Sequence, residues 1–225
     1  MKRRGKKNIE PEPLTRTITD QLFPSRLSRA DQRKLKILEG AIRTYASLGV
    51  DYVSHEDIAR QSQTSRPLVI HHFPDKTELF EMAIKLIRAQ MQELAVNRLT
   101  AASDPRAQLV AYVESTFEWV RLYPLHIRTW LFYFYACASD PNLRRAHRHL
   151  TEMGKHRIVA LLKAGVETAQ FSKGDLAFKA KTIQHLITGA LLELQTELEE
   201  TDLTRVQRDC VRACLEVAGA EGRPR

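Results

Sequence analysis

Long apolar runs are missing from this sequence. The richest apolar stretch, residues 130–138, has about half the length that a membrane-spanning helix needs. The N-terminus carries charges but no apolar core segment, and it therefore does not resemble a secretory signal. We expect a cytoplasmic protein with no membrane partner.

Glycine and proline are also scarce, with nine of each among 225 residues, and runs of β-branched residues are few. This composition favours an all-α fold. The length allows one or two small domains, each with its own core.

The three cysteines, Cys137, Cys210 and Cys214, form no CxxC motif and no set of Cys and His ligands. Cys210 and Cys214 are one helical turn apart, which is a usual spacing for two core positions. We therefore expect reduced thiols in the core of a cytoplasmic protein.

Enzyme signatures are lacking as well. The sequence contains no GxSxG, no P-loop, no HExxH and no paired carboxylates beside a general base. We predict no catalytic residues and no cofactor. Four of the eight histidines lie between residues 126 and 156, at 126, 147, 149 and 156. His147 and His149 are two residues apart and cannot share a helix face. We therefore predict no metal site.

Positive charge is concentrated near the N-terminus. The chain has a formal charge of +8, and residues 1–36 contain eleven Lys and Arg against four acids. Such asymmetry indicates a polyanionic partner close to this end of the chain. Residues 1–27, basic and then proline-containing, are interpreted as a flexible arm. The arm could reach DNA, or it could be a disordered solubilising tail.

Residues 54–64 have the pattern of a short helix followed by a turn. Ser54 is positioned to cap the helix, with Asp57 three residues later completing a capping box. Ile58 and Ala59 supply the apolar and small side chains that a close helix crossing needs. Residues 61–64 are poor choices for a helix interior and indicate a turn.

A second short helix follows the turn. Ser65 is its candidate cap, and Pro67 falls in the first turn, where its missing N–H costs little. Pro74 ends the helix after Phe73, and Asp75 caps the next one. Two short helices joined by a four-residue turn form a helix-turn-helix pattern.

This stretch resembles the signature of the TetR/AcrR family of bacterial transcription regulators. The resemblance covers about residues 29–85. The matching residues are Ile37, Leu38, Ala41, Tyr45, Gly49, Asp57, Ile58, Ala59, Ser65, Val69, His72, Phe73, Pro74, Lys76, Glu78 and Leu79. In three places the chain departs from the family pattern: Gln63 replaces a turn glycine, Ile70 a tyrosine, and Pro67 a small residue.

The resemblance implies an all-α protein with an N-terminal three-helix helix-turn-helix domain and a C-terminal helical domain for ligand binding and dimerisation. The expected divisions are the arm at 1–27, the DNA-binding domain at 28–80, the effector-binding and dimerisation domain at 81–218, and a tail at 219–225. The helix that begins at Ser28 completes the three-helix unit, with Asp31 in a further capping box.

The partner implied for the first domain is double-stranded DNA. The second short helix should enter the major groove by its N-terminal half, where Arg66 would contact a guanine edge or a phosphate. His72 could instead be a packed or capping histidine, and His55 an exposed one. We predict DNA contacts from Ser54, His55, Ser65, Arg66, Pro67, Leu68, His71, His72 and Lys76.

Caps and breakers divide the rest of the chain into six helices, at about residues 75–100, 104–123, 125–138, 140–170, 175–200 and 202–218. The helix at 125–138 is apolar nearly all round and should be buried or shared between a core and a cavity. The basic residues at 144–149 are interpreted as a solvated helix face.

Aromatic residues of the C-terminal domain indicate a small-molecule site, although each could also be an ordinary core residue. We predict contacts to an apolar or weakly polar effector from Tyr112, Thr116, Trp119, Trp130 and Phe134.

The last two helices are amphipathic, and one chain has few elements left to cover them. We therefore expect a homodimer through these helices, as in the TetR family, and a palindromic operator with half-sites about one helical turn apart. The predicted function is a repressor that a ligand releases from DNA. The alternative is a DNA-binding protein of this fold whose C-terminal domain binds a protein partner.

Overall fold

A computed structural model describes residues 28–196 and 202–220, which form nine α-helices and no strand. The prediction of an all-α fold is confirmed. The predicted arm at 1–27, the end of the predicted helix at 197–200 and residues 221–225 of the tail lie outside the described residues. The helices are α1 (Arg29–Leu48), α2 (His55–Gln61), α3 (Arg66–His72), α4 (Lys76–Ala101), α5 (Pro105–Leu122), α6 (His126–Ser139), α7 (Pro141–Glu167), α8 (Leu176–Thr196) and α9 (Leu203–Ala218).

Local caps set the helix starts. The Ser28 hydroxyl accepts a hydrogen bond from the Asp31 amide, and the Asp31 carboxylate accepts one from the Ser28 amide. Ser54 and Asp57 form the same reciprocal capping box at the start of α2. Each box satisfies two N–H groups that a helix start would leave without a partner.

Helices α1, α2 and α3 enclose a small core together with the first turns of α4. Ile37, Ile58, Val69 and Leu79 are fully buried in it. The Tyr45 ring packs edge-on against Phe80 of α4, with the ring centroids 5.3 Å apart. These contacts hold α3 in a fixed orientation relative to α4.

Gly40 permits the close crossing of α1 over the end of α2. A Cβ atom at Gly40 would lie 2.6 Å from the Ser62 Cβ and 2.9 Å from the Ser62 backbone nitrogen. Ser62 is fully buried, and its hydroxyl donates to the Ile58 carbonyl at 2.7 Å. The backbone of the turn therefore cannot move aside cheaply.

Gly40→Ala is expected to destabilise the protein by about 1–3 kcal/mol, because overpacking outweighs the better helix propensity of alanine. Urea unfolding monitored by circular dichroism measures the change. Ser47→Ala, on an exposed position of the same helix, is the control and should change stability by less than about 0.5 kcal/mol. Equal stability of the two variants would contradict the close crossing.

The long helix α4 passes through the predicted domain boundary at residue 80, which stays a prediction. Its first turns pack on α1, and the rest lies along α5 and α6. Near its C-terminus, Arg98 bonds the Glu118 carboxylate of α5 at 2.6 Å. One continuous helix therefore connects the helix-turn-helix to the C-terminal bundle. In this bundle α5 and α8 each pack on both α7 and α9.

Helix α6 divides its apolar residues between the core and the surface. Ile127 and Tyr133 are buried, whereas Tyr135 is 74% exposed. The Thr129 hydroxyl donates to the Ile42 carbonyl of α1 at 3.0 Å, which joins α6 directly to the N-terminal unit. No helix among the described residues is long and apolar enough to cross a bilayer.

Arg144 differs from its neighbours in the basic segment at 144–149. Its guanidinium donates to the Cys137 carbonyl at 2.9 Å and also to the Ala138 carbonyl, so it caps the C-terminus of α6. Arg145, Arg148 and His149 are exposed, as a solvated face requires.

Candidate DNA interface and effector site

Helix α3 presents its N-terminal half to solvent. Val69 and the adjoining Phe73 face the core, whereas Arg66, Pro67 and His71 are exposed. Ser65 occupies the N-cap position but its hydroxyl makes no capping bond. An exposed helix end with an arginine and uncapped amides suits a phosphate or a base edge.

Leu68 and His72 of α3 are half-buried. The His72 Nε2 atom is buried and has no hydrogen-bond partner among the described residues. Burial lowers the pKa of His72, and the neighbouring His71, Lys34 and Arg33 lower it further. The ring of His72 therefore lies partly against the protein, and the DNA contact predicted for it stays a prediction.

Three predicted contacts lie where α2 meets the end of α3. The Ser54 hydroxyl belongs to the capping box, His55 Nε2 donates to the Phe73 carbonyl at 3.0 Å, and Lys76 Nζ donates to the Val53 carbonyl at 3.2 Å. Ser54 and Lys76 are exposed. Lys76 retains two further N–H donors, which could reach a phosphate.

The turn between α2 and α3 is held by residues that the sequence pattern did not single out. Lys36 Nζ donates to the Gln63 carbonyl at 3.4 Å, and Arg43 donates to the Gln61 carbonyl at 3.2 Å. Both donors lie on α1, 27 and 18 residues away along the chain. In the sequence, only the concentration of positive charge before residue 37 indicated that Lys36 could belong to the DNA-binding region.

Gln63 has a φ of 49°, in the left-handed region that favours glycine. This explains why the family pattern has a glycine at the turn. Gln63→Gly is expected to stabilise the protein by about 0.5–1 kcal/mol, since glycine adopts this conformation without a Cβ penalty. Thermal unfolding measures the gain, and Gln61→Gly, at the exposed end of α2, should lose stability instead. A less stable Gln63→Gly protein would contradict the explanation.

The predicted effector residues fall into two groups. Tyr112, Thr116 and Trp119 lie on α5, and Trp130 and Phe134 lie on α6, where their ring centroids are 5.6 Å apart. No ring contact joins the two groups in the part of the chain that is described.

The α5 group is the more enclosed. Trp119 is fully buried, and its indole N–H has no hydrogen-bond partner among residues 28–196 and 202–220. Burial raises the pKa of Tyr112. An indole N–H without a partner is a polar group that an effector could satisfy.

The α6 group belongs to a larger aromatic cluster, defined here as Trp130, Tyr133, Phe134 and His147. The Tyr133 centroid is 5.2 Å from Trp130 and 5.7 Å from His147, and Phe134 is 5.0 Å from His147. Tyr133 and His147 were not predicted as site residues. Tyr133 was visible within the apolar run, but the approach of α7 that brings His147 was not readable from spacing.

Helices α8 and α9 line an open groove with a volume of about 430 Å³. Its lining includes His185, Gly189, Cys210 and Ala213. A Cβ at Gly189 would meet no atom of the described residues within 4 Å, so the surface of the helix is open to them there. Large apolar side chains on α8 are exposed nearby in sequence, with Phe178 at 67% and Leu192 at 45%.

Two family models match this chain. The model for bacterial regulatory proteins of the tetR family matches residues 37–83, and the model for the C-terminal region of BetI-type transcriptional repressors matches residues 105–218. The second match alone covers half of the chain.

Curated relatives carry the name HTH-type transcriptional regulator BetI. The protein from Proteus mirabilis is 27% identical over 178 residues, covering 78% of this chain and 86% of its own. The protein from Burkholderia mallei is 27% identical over 124 residues, covering 55% of this chain. This chain spans 64% of the length of that Burkholderia relative.

Solved structures show the same fold. A protein from Saccharomonospora viridis, solved in complex with choline, matches with a TM-score of 0.76 at 22% identity, over 85% of this chain and 99% of its own. A TetR-family transcriptional regulator from Cytophaga hutchinsonii matches with a TM-score of 0.73 at 16% identity, over 89% and 100%.

Proposed function

Because this chain belongs to the TetR family of bacterial transcription regulators, we propose that it is a repressor which a small-molecule effector releases from a palindromic operator. The observation that carries the DNA-binding part is the exposed N-terminal half of α3, with Arg66 at its first position. The family match does not favour the alternative of a C-terminal domain that binds a protein partner. No enzymatic activity is proposed.

Homodimerisation supplies the two recognition helices that a palindrome requires. The groove between α8 and α9 and the exposed apolar residues of α8 support a dimer through these helices, because a second copy would cover both. A two-fold axis would then place the α3 helices in successive major grooves, about 34 Å apart along the DNA.

The switch requires that the effector site and α3 share rigid elements. Helix α4 begins directly after the helix-turn-helix and extends along α5, where Arg98 bonds Glu118. Helix α6 touches α1 through the hydrogen bond from Thr129 to the Ile42 carbonyl. An effector that prefers one packing of α6 against α4 would therefore also shift α1 and the recognition helix. Its differential affinity for the two packings sets how far DNA affinity falls.

Choline is one effector to test, because the similar protein from Saccharomonospora viridis was solved with it. Aromatic side chains bind quaternary ammonium groups through cation–π attraction. Trp119, Trp130 and Phe134, three of the predicted effector residues, have rings of this kind.

The proposed function is tested by footprinting on the DNA upstream of the gene, at 50 and 200 mM salt. We expect a protected palindrome whose affinity falls steeply with salt, since phosphate contacts release counterions. Choline and a panel of small organic acids and bases are then added to the complex. Weak binding without sequence preference would contradict the proposal, and so would a protected site without two-fold symmetry.

Arg66→Ala should lower operator affinity by about 1–3 kcal/mol and relax the preference at one base pair of each half-site. Arg66→Lys separates the two roles predicted for this residue. If the fork reads a guanine edge, lysine restores little, whereas a phosphate contact would be largely kept. Competition binding with operators changed at single base pairs measures both effects.

The control is Arg145→Ala, because Arg145 is an exposed arginine of α7, far along the chain from the helix-turn-helix. It should leave affinity and sequence preference unchanged. If Arg145→Ala weakened binding as much as Arg66→Ala, the assignment of α3 as the recognition helix would be wrong.

A further inference from the structure

Arg88 is a half-buried cation on α4 beside the aromatic cluster. No ion pair or hydrogen bond engages its guanidinium within the described ranges. Helix α4 packs on α6 at this level, where the Gln90 amide oxygen accepts a hydrogen bond from His126 Nδ1 at 2.9 Å. The charge of Arg88 acts on Tyr133 and His147, which both belong to the cluster. Burial lowers the pKa of Arg88, yet an arginine remains charged at any physiological pH.

A buried charge without a counter-charge is costly, and proteins normally pair it. Among the described residues no acid forms an ion pair with Arg88. Glu81, two turns before Arg88 on the same helix, acts on Tyr133 of the cluster without pairing with the guanidinium. The absence of a pair distinguishes Arg88 from Arg98, which the same helix pairs with Glu114 and Glu118.

His147 supplies a second unused polar group at the same place. Its Nδ1 atom is buried and has no hydrogen-bond partner in the described part of the chain, while Nε2 lies 3.4 Å from the Thr151 hydroxyl. Burial lowers the pKa of His147, and Arg88 lowers it further, so the ring is neutral and one nitrogen can carry a donor proton.

The surrounding side chains are apolar and aromatic. Trp130 and Phe134 are half-buried, so the cluster reaches solvent on one side. A guanidinium fork is matched in geometry by a carboxylate, which accepts two parallel N–H bonds. Aromatic side chains suit a flat or aliphatic body attached to that carboxylate.

We infer that the aromatic cluster binds a small carboxylate with an apolar body, with Arg88 as the counter-charge and His147 as a further donor. This inference rests on the proposed function, because it names the class of the effector. It also differs from the choline complex of the similar protein, since a quaternary ammonium here would meet a cation already beside the rings.

The test compares two ligands of one shape and different charge, together with a cation, on the full-length protein. The probes are benzoate and its neutral counterpart benzamide, with choline as the cationic probe. Binding is followed by calorimetry and by tryptophan fluorescence, because Trp130 lies in the cluster. We expect benzoate to bind at least about tenfold more tightly than benzamide, as a charge-assisted bond to arginine requires, and choline to bind more weakly than either.

Arg88→Gln removes the charge at nearly constant size and should abolish the preference for benzoate over benzamide. Lys85→Gln is the matched control, because Lys85 is an exposed cation three residues earlier on α4. It should keep the preference. Both variants should keep the helix content and the cooperative thermal unfolding of the unsubstituted protein by circular dichroism, which shows that they are folded.

Two outcomes would overturn the inference. Choline binding that releases operator DNA, without any preference for benzoate, would leave the proposed function standing and refute the carboxylate class. A benzoate preference that survives in Arg88→Gln would refute the role of Arg88. Failure of operator binding itself would instead refute the proposed function, and it is detected separately by the footprint.

Discussion

Gly189→Arg is expected to convert the protein to monomers and to weaken operator binding at least about a hundredfold, because the second half-site then no longer binds within one molecule. The substitution places a charged side chain in the groove between α8 and α9. A Cβ at residue 189 has open space around it in the single chain. The fold of the monomer should therefore survive, and the loss should fall on association alone.

Sedimentation equilibrium measures the oligomeric state, and gel-shift titration measures the affinity. Circular dichroism should show unchanged helix content. The control is Ala160→Arg, an equally charged substitution on an exposed position of α7, which should leave the protein dimeric. A Gly189→Arg protein that sediments as a dimer would place the interface elsewhere.

Lowering the pH from 7 to 5 is expected to cost about 2 kcal/mol of folding stability through His126 alone. His126 is buried at the start of α6, where Nδ1 donates to the Gln90 amide oxygen at 2.9 Å and the ring stacks on Tyr123 at 4.9 Å. Burial, and secondarily the charge of Arg43, lower the pKa of His126 to about 4.

Folding stability falls as the pH falls because the unfolded chain binds protons more readily than the folded protein. The unfolded chain binds a proton at this histidine with a pKa of about 6.5, whereas the folded protein does so only near 4. Between these values the unfolded state binds more protons, so stability is full above about pH 6.5 and falls as the pH drops towards 4. Burial also lowers the pKa of His72 and His147, which gives the same sign.

Urea unfolding at pH 7 and pH 5 separates these contributions. His126→Gln should show a drop between the two pH values that is smaller by about 2 kcal/mol than in the unsubstituted protein. His149→Gln, at an exposed position of α7, should retain the full drop. An unchanged drop in His126→Gln would mean that this histidine does not titrate differently in the folded and unfolded states.

Because His126 and Thr129 join α6 to α4 and α1, acid should loosen the contact between the C-terminal bundle and the DNA-binding unit first. Arg43 also donates to the turn between α2 and α3. The same junction would transmit the effector signal, and its stability would therefore limit how strongly the two ends of the molecule are coupled.

The sequence by itself determined most of the helix starts of this protein. Ser28, Ser54, Asp75, Asp104 and Asp140 all cap helices where the sequence indicates a start, each through a bond to an amide within three residues. Such bonds depend only on neighbours in the chain, so they are readable without the fold. Helix α7 ends at Glu167, three residues earlier than predicted, where Ala169 takes a φ of 57°.

The helix-turn-helix could be recognised in the sequence for a related reason, because its two helices and turn are contiguous in the chain. The residues that hold its turn could not be recognised in this way. Ser62 packs on Gly40, and Lys36 and Arg43 reach the turn carbonyls from α1. Their positions depend on how α1 crosses α2, which no local pattern encodes.

Only the tertiary structure decided the composition of the candidate effector site. It separated the aromatic residues of α5 from those of α6, and it brought His147 of α7 against Tyr133. It also placed Arg88 of α4 where its charge acts on Tyr133. Helical periodicity indicates which residues face inward on each helix, but not which helices meet. Arg88, which has no ion pair among the described residues, and the His147 nitrogen that has no partner there lie where three helices converge. They become visible only when those helices are packed.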